Sequence, residues 1–260
     1  IVLQPRDGSV EERVVRLQLD LVNLTNEQTD RLIANVSEAS GSSSERVLVT
    51  HSHSHASGFY SPNRAGLPGG NLIAPFLDEL NSKVTVLAKE AVESLAEATI
   101  TYAFGRSDMA ANRDYRDEQN EIYATGFNPD REGDDTILVG RVTDTDGATR
   151  LVIVSYGCHP TTLAWDNTLI SPDYVGALRE VVEDSAGAPC CFFQAPSGDL
   201  GPRDGFVGDV DVADRNGKQV GHAALSALYG MGTPRTDFVY AGPVVSGATI
   251  ATWGWNEQVG

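Results

Sequence analysis

Three of the five histidines fall within one short segment, Thr50-His51-Ser52-His53-Ser54-His55. Neutral imidazole is the commonest metal ligand near neutral pH. Side chains two residues apart in an extended segment point to the same side, so this stretch can offer two or three ring nitrogens to one cleft. A His-x-His alone is a weak signal, and a solvated His/Ser loop is the plainer reading. The fourth histidine, in Tyr156-Gly157-Cys158-His159-Pro160-Thr161-Thr162, strengthens the metal reading. Zinc takes His nitrogens at about 2.0–2.1 Å from distant chain segments. Both segments follow apolar strands, Val47-Leu48-Val49 and Leu151–Val154, at strand ends where α/β proteins place ligands. Pro160 fixes the turn after His159. Cys158 reads as a small core residue, and His222, within an Ala-rich helical stretch, as structural.

A third segment, Phe193-Gln194-Ala195-Pro196-Ser197-Gly198-Asp199-Leu200-Gly201-Pro202, also follows a strand. Its Gly and Pro residues predict a tight loop that allows close approach of substrate or backbone. Ser197 is a candidate nucleophile, but no Gly-x-Ser-x-Gly elbow surrounds it, and a hydroxyl satisfied within its own turn is the alternative.

The elements that must position these segments alternate between helix and strand. The run Val14–Val22 is β-prone. Thr25 and Gln28 have capping-box spacing ahead of a short helical stripe at Leu32, Ile33 and Val36, and Ser37–Ser44 reads as a loop. Leu77, Leu80, Val84, Leu87, Ala91 and Leu95 recur at helical spacing and predict a long amphipathic helix over Ala74–Leu95. Strands are predicted at Ile100–Phe104, Ile137–Val142 and Leu151–Tyr156, with Asp146-Gly147 as a hairpin turn. A helix from near Pro172, a buried strand at Cys190–Gln194, a helix around Gln219–Tyr229 and β-rich runs at Phe238–Val245 and Ala248–Trp253 follow. Asn112–Gly133 and Ser57–Asn71 read as long loops. The fold class is therefore α/β, a mixed β-sheet with helices packed on it, expected as a single domain.

Composition narrows the partners. The 260 residues carry a formal net charge of −17, which excludes the basic footprint of a nucleic-acid binder. No apolar run reaches the roughly 18–20 residues of a transmembrane segment. The sequence begins at Ile1 with no signal-peptide pattern, which leaves secreted, periplasmic and cytoplasmic locations open. Three cysteines, two of them adjacent at Cys190 and Cys191, make no disulfide framework.

Five ordered motifs resemble the neutral/alkaline, non-lysosomal ceramidase family. Ser52-His53-Ser54-His55-Ala56-Ser57 matches its His-Thr-His-Ser-Gly-Pro, with His53 and His55 in register, and Asn112-Arg113 matches its Asn-Arg. His159-Pro160-Thr161-Thr162 matches its His-Pro-Thr-Ser, in a form similar to bacterial relatives. Leu169-Ile170-Ser171-Pro172-Asp173-Tyr174-Val175-Gly176 matches its Leu-Ile-Ser-x-Asp-x-x-Gly, and Gly198-Asp199-Leu200-Gly201-Pro202 its Gly-Asp-(Val or Ile)-x-Pro. The resemblance implies zinc ligation by His53 and His159, and substrate contacts from His55 and Arg113. It makes residues 1–260 a partial N-terminal catalytic domain, with a Glu and a Tyr ligand coming from beyond Gly260 and no promotion of Glu257. Two departures stand out: Gly201 replaces the family's proposed nucleophilic Ser, and Gly-Pro is missing after the His-x-His.

The expected protein is a zinc-dependent amidohydrolase for a lipid or small-molecule amide, N-acyl sphingosine foremost. Zinc would polarise the amide carbonyl and a water, lowering the water's pKa toward about 7 so that it attacks. His55 and Arg113 would hydrogen-bond the carbonyl or the tetrahedral oxyanion, and Asp199 would orient its loop or a ligand. A catalytically silent metal- or ligand-binding relative is the rival reading, and a serine hydrolase using Ser197 a third.

Overall fold

The Thr25–Gln28 spacing does in space what it implies in sequence. Thr25 Oγ1 accepts from the Gln28 amide and Gln28 Oε1 accepts from the Thr25 amide at 2.9 Å, which satisfies two donors that a helix start leaves bare. The computed structural model describes residues 1–257. Its first layer comprises β1 (Val2–Leu3), β2 (Val14–Leu19), α1 (Asn26–Ser40), β3 (Val47–His51) and α2 (Ile73–Glu93). β2 lies between β1, antiparallel, and β3, parallel, with Leu17 opposite Val49 and Leu19 opposite His51. Leu32 and Val36 of α1 and Val84 and Ala88 of α2 bury against Val15, Leu19 and Val47.

Two expectations change here. Helix α1 runs through Ser40 and stops at Gly41 in the left-handed conformation (φ 69°), so the Ser-rich loop is shorter than its composition implies. Serines are merely indifferent helix formers, and packing of Val36 overrides them. On α2 the buried line passes through Asn81, Val84 and Ala88, while Leu87 of the expected stripe is 57% exposed.

The second layer contains β4 (Thr99–Arg106), β5 (Ala110–Asn112), β6 (Asp114–Asp117), β7 (Ile122–Thr125), β8 (Thr136–Thr143), β9 (Thr149–Tyr156), α3 (Tyr174–Ala186), β10 (Cys190–Gln194), β11 (Leu200–Pro202) and α4 (Val210–Tyr229). Strands order as β10-β9-β8-β4, parallel only between β10 and β9. The expected Asp146-Gly147 turn joins β8 to β9, with Gly147 at φ 84°. Helices α3 and α4 cover one face, and Ile137, Val139, Val152, Val154, Leu178, Val182 and Val220 form the core between them. Helix α4 begins nine residues earlier than its Ala-rich end suggests. Its first turns bury Ala213, Asn216 and Gly217 instead of large apolar residues. A Cβ at Gly217 would lie 2.2 Å from the Tyr174 carbonyl, so only glycine lets the two helices meet there.

The expected loop 112–133 contains the β6/β7 hairpin, and the C-terminal β-rich runs form a hairpin of β12 (Thr236–Ser246) and β13 (Ala248–Glu257). The architecture is α/β with mixed sheets. Among the described residues no helix is long and apolar enough to cross a membrane.

The two layers meet where β3 and β9 end. Ser54 Oγ donates to the Ser171 carbonyl at 2.8 Å, Ser171 N to the Ala56 carbonyl at 3.1 Å, and His55 N to the Pro160 carbonyl at 3.2 Å. Arg179 pairs with Asp20, and Arg16 stacks 4.1 Å from the centroid of the Phe193 ring.

Candidate metal centre

At the end of β3 the chain stops being extended. His53 adopts the left-handed conformation, φ 65°, which is unfavourable by roughly 1–2 kcal/mol for a residue with a Cβ. Its amide donates to the Leu21 carbonyl at 3.1 Å, and its Nδ1 lies 2.7 Å from the Val22 carbonyl. That kink breaks the side-chain alternation: His51 stays in the β3 ladder, while His53 and His55 turn toward the end of β9. There His159 donates its amide to the Leu200 carbonyl at 3.1 Å, with Nδ1 2.7 Å from the Ser197 carbonyl.

A carbonyl oxygen can only accept. Nδ1 therefore carries the proton in both His53 and His159, and each Nε2 is left with its lone pair. Metal-binding histidines are oriented by hydrogen bonds of this kind. One ligand atom from each of His53, His55 and His159 can lie within 4.8 Å of the others. The ring centroids are 4.9 Å apart for His53–His159, 5.0 Å for His53–His55 and 5.8 Å for His55–His159. His51 lies outside this cluster, and its Nε2 is buried with no hydrogen-bond partner.

Electrostatics favour the uncharged ring at His55 and at His159. Burial, then His53, His159 and the Arg113 guanidinium, bring the pKa of His55 down to about 4. Burial and Arg113 also lower His159, against an opposing pull from its bond to Ser197. A ring must be unprotonated to ligate, so the three rings could hold a metal ion. Among the described residues neither ring nitrogen of His55 has a protein hydrogen bond. His55 is the most open residue of the three while its ring is partly desolvated by its neighbours, and that ring stands 6.4 Å from that of Phe59, edge to face.

The Asn-Arg and Gly-Asp segments meet through β5 and β11, with Gly201 opposite Ala111. Arg113 donates from Nε and Nη2 to the Gly198 carbonyl at 3.1 and 2.8 Å, and Asn112 Nδ2 donates to Asp199 Oδ2 at 3.3 Å. Asp199 thus ties its loop to β5. Gly201 lies in β11 without the positive φ that would exclude a serine: an added Cβ would meet Arg113 Cδ at 3.4 Å, ordinary contact. Ser197 is buried, and its Oγ accepts from Gln194 Nε2 at 2.8 Å. Its carbonyl, not its hydroxyl, faces a histidine. His222 is exposed on α4, away from the cluster. The sequence gives no sign of the Val22 and Ser197 carbonyls, because a backbone acceptor has no residue type.

The whole architecture has counterparts among solved structures. A ceramidase complexed with C2 superposes with a TM-score of 0.68 at 19% identity, over 92% of this chain and 40% of that one. This is the fold of one part of the ceramidase structures. The neutral ceramidase of Pseudomonas aeruginosa gives a TM-score of 0.64 at 20% identity, over 87% of this chain and 39% of that one. The chain spans about 40% of the length of the ceramidase structures it matches. No family model and no curated protein matches the sequence. The ceramidase likeness is therefore carried by three-dimensional structure and by short motifs.

Proposed function

We propose that this chain is the metal-binding part of a zinc-dependent, ceramidase-like hydrolase of an amide bond, with an N-acyl sphingosine or a related lipid or small amide as substrate. One observation carries the reading: His53 and His159 leave different sheets, have both Nδ1 atoms held by backbone carbonyls, and bring their rings to 4.9 Å between centroids. His53 and His159 would hold the metal. When bound, zinc supplies Lewis-acid polarisation of the amide carbonyl and of a water.

The protein's own groups have distinct tasks. Arg113 is anchored through Nε and Nη2 to Gly198, which leaves Nη1 to donate to the substrate carbonyl oxygen as negative charge develops there. His55, neutral because its pKa is held at about 4, can donate a second hydrogen bond to that oxygen. Hydrolysis adds water oxygen to the carbonyl carbon, breaks the C–N bond and delivers a proton to the leaving amine. Asp199 steadies the loop that anchors Arg113.

Gly201, standing where the family has a Ser, favours a second reading: a silent relative that binds metal or ligand without turnover. The two separate on one experiment with the full-length protein. Hydrolysis of some member of an amide panel, stopped by a chelator and restored by zinc, supports the hydrolase. A zinc-loaded protein inactive on the whole panel supports the silent relative. A serine hydrolase at Ser197 lacks support, since the hydroxyl is bonded by an amide and not by an imidazole base.

A further inference from the structure

Behind His159 a single side chain ties together the two segments that orient its ring, and the hydrolytic reading does not use it. Gln194 ends β10, in register with Tyr156 of β9. Its Nε2 donates to the Cys158 carbonyl at 2.8 Å and to Ser197 Oγ at 2.8 Å, which uses both amide protons. The first acceptor directly precedes His159. The second belongs to the residue whose carbonyl lies 2.7 Å from His159 Nδ1. Flipping the amide would set two carbonyl oxygens against each other at Cys158, so the hydrogen-bond pattern fixes its orientation. Gln194 Oε1 is buried without a partner, an unfavourable arrangement that the two donor contacts outweigh.

The surroundings are built for the same alignment. Tyr174 OH donates to the Cys158 carbonyl at 2.8 Å, and the Leu200 amide to the Ser197 carbonyl at 3.0 Å. Gly157 admits the loop: a Cβ there would stand 2.6 Å from the Pro196 carbonyl oxygen. Only one of these contacts, the one from Gln194 to Ser197 Oγ, couples the histidine's own segment to the side chain of the residue whose carbonyl accepts its hydrogen bond.

We propose that Gln194 is a positioning residue for the metal centre. By clamping the Cys158 carbonyl to the Ser197 hydroxyl, it holds the Ser197 carbonyl on His159 Nδ1 and keeps the Nε2 lone pair turned toward His53. The proposal rests on the reading of His53 and His159 as metal ligands. The Leu200 carbonyl also lies 3.3 Å from His159 Nδ1, so Gln194 would act on the shorter of two acceptors. A glutamine that merely stabilised a loop would leave the ring's tautomer alone, whereas one that aligns the Ser197 carbonyl shifts it.

The test compares Gln194→Met, which keeps the length and loses the donors, with Ser197→Ala, Ser197→Thr and the Gln194→Met/Ser197→Ala pair in the full-length protein. Zinc affinity is read by competition with a chromophoric chelator, and the His159 tautomer by nitrogen-15 NMR of the metal-free protein. Gln194→Met should weaken zinc binding by about 10- to 100-fold, the range for lost outer-sphere partners, and give a mixture of tautomers where the parent has Nδ1–H. Ser197→Ala should fall in the same direction, Ser197→Thr should retain the parent affinity, and the pair should be no weaker than Gln194→Met alone, because both remove one link. Unchanged affinity and tautomer in folded Gln194→Met would overturn the proposal. If that variant does not fold, the same outcome in Ser197→Ala overturns it. A parent protein that binds no zinc would instead refute the metal reading, with the tautomer still deciding the role of Gln194.

Discussion

The imidazoles of His53 and His159 meet edge to face, 4.9 Å between centroids at 74°, although one follows β3 and the other β9. Backbone carbonyls orient both rings, Val22 for His53 and, for His159, Ser197 at 2.7 Å with Leu200 at 3.3 Å. His55 differs, since no such acceptor holds its ring. It follows that His55→Ala should keep the bound metal and lose most amide hydrolysis. Metal content and turnover measured on the same sample check this, and loss of the metal would make His55 a ligand instead.

Arg113 directly follows β5 and is pinned by the Gly198 carbonyl. Arg113→Ala removes a positioned donor, and removal of one oxyanion donor lowers kcat by about 10²–10³-fold. Arg113→Lys should recover little of it, because an ammonium cannot span the Gly198 carbonyl and a substrate oxygen together. Steady-state kinetics of both variants, with zinc content unchanged, provide the check.

Gly201→Ser should fold as the parent does. The added Cβ meets Arg113 Cδ at 3.4 Å and Arg113 Cβ at 3.6 Å, and the backbone there is extended. Thermal unfolding should shift little, zinc content should stay the same, and preference across an amide panel should change. A substitution that empties the site of metal without altering preference would contradict this placement of Gly201.

The metal-free protein should lose stability in mild acid. His55 is held at about 4, below its ordinary value, so between roughly 6.5 and 4 the unfolded chain binds a proton that the folded chain does not. Stability therefore falls as pH falls through that window. NMR titration of the His55 ring reads the midpoint directly, and an ordinary value near 6.5 would contradict the packing around it.

Tyr156→Phe tests how the site is mounted. The buried Tyr156 hydroxyl donates to the Ser107 carbonyl at 2.7 Å and accepts from the Ala110 amide at 2.8 Å, which holds the strand that carries Arg113. Phe leaves both groups unpaired, with an expected loss of about 1–3 kcal/mol in urea unfolding. No change in midpoint would mean that water replaces the hydroxyl.

Legibility in the sequence followed the physics of each signal. Strands β8 and β9 and their Asp146-Gly147 turn could be read because apolar patterning and turn chemistry agree. The start of α4 could not, since Ala213, Asn216 and Gly217 bury a small and partly polar face that resembles solvated sequence. On α2 the periodicity was right, but Leu87 faces outward and Ala88 inward: spacing fixes a stripe only to within one position. At the site, residue types pointed to the His51–His55 segment and His159, while His53 over His51, and Arg113, came from the family resemblance; the structure brings His53, His55 and His159 together. The left-handed turn at His53, which separates it from His51, has no residue-type signature and emerges only from the packing of the segment on Leu21 and Val22.

Metal analysis of the full-length protein, parent beside His53→Ala and His51→Ala, tests the central claim most directly. The parent and His51→Ala should each hold about one zinc per chain, the stoichiometry of a single mononuclear site, and His53→Ala should hold none. A parent that stays metal-free after exposure to zinc, or a site emptied by His51→Ala alone, would contradict the account.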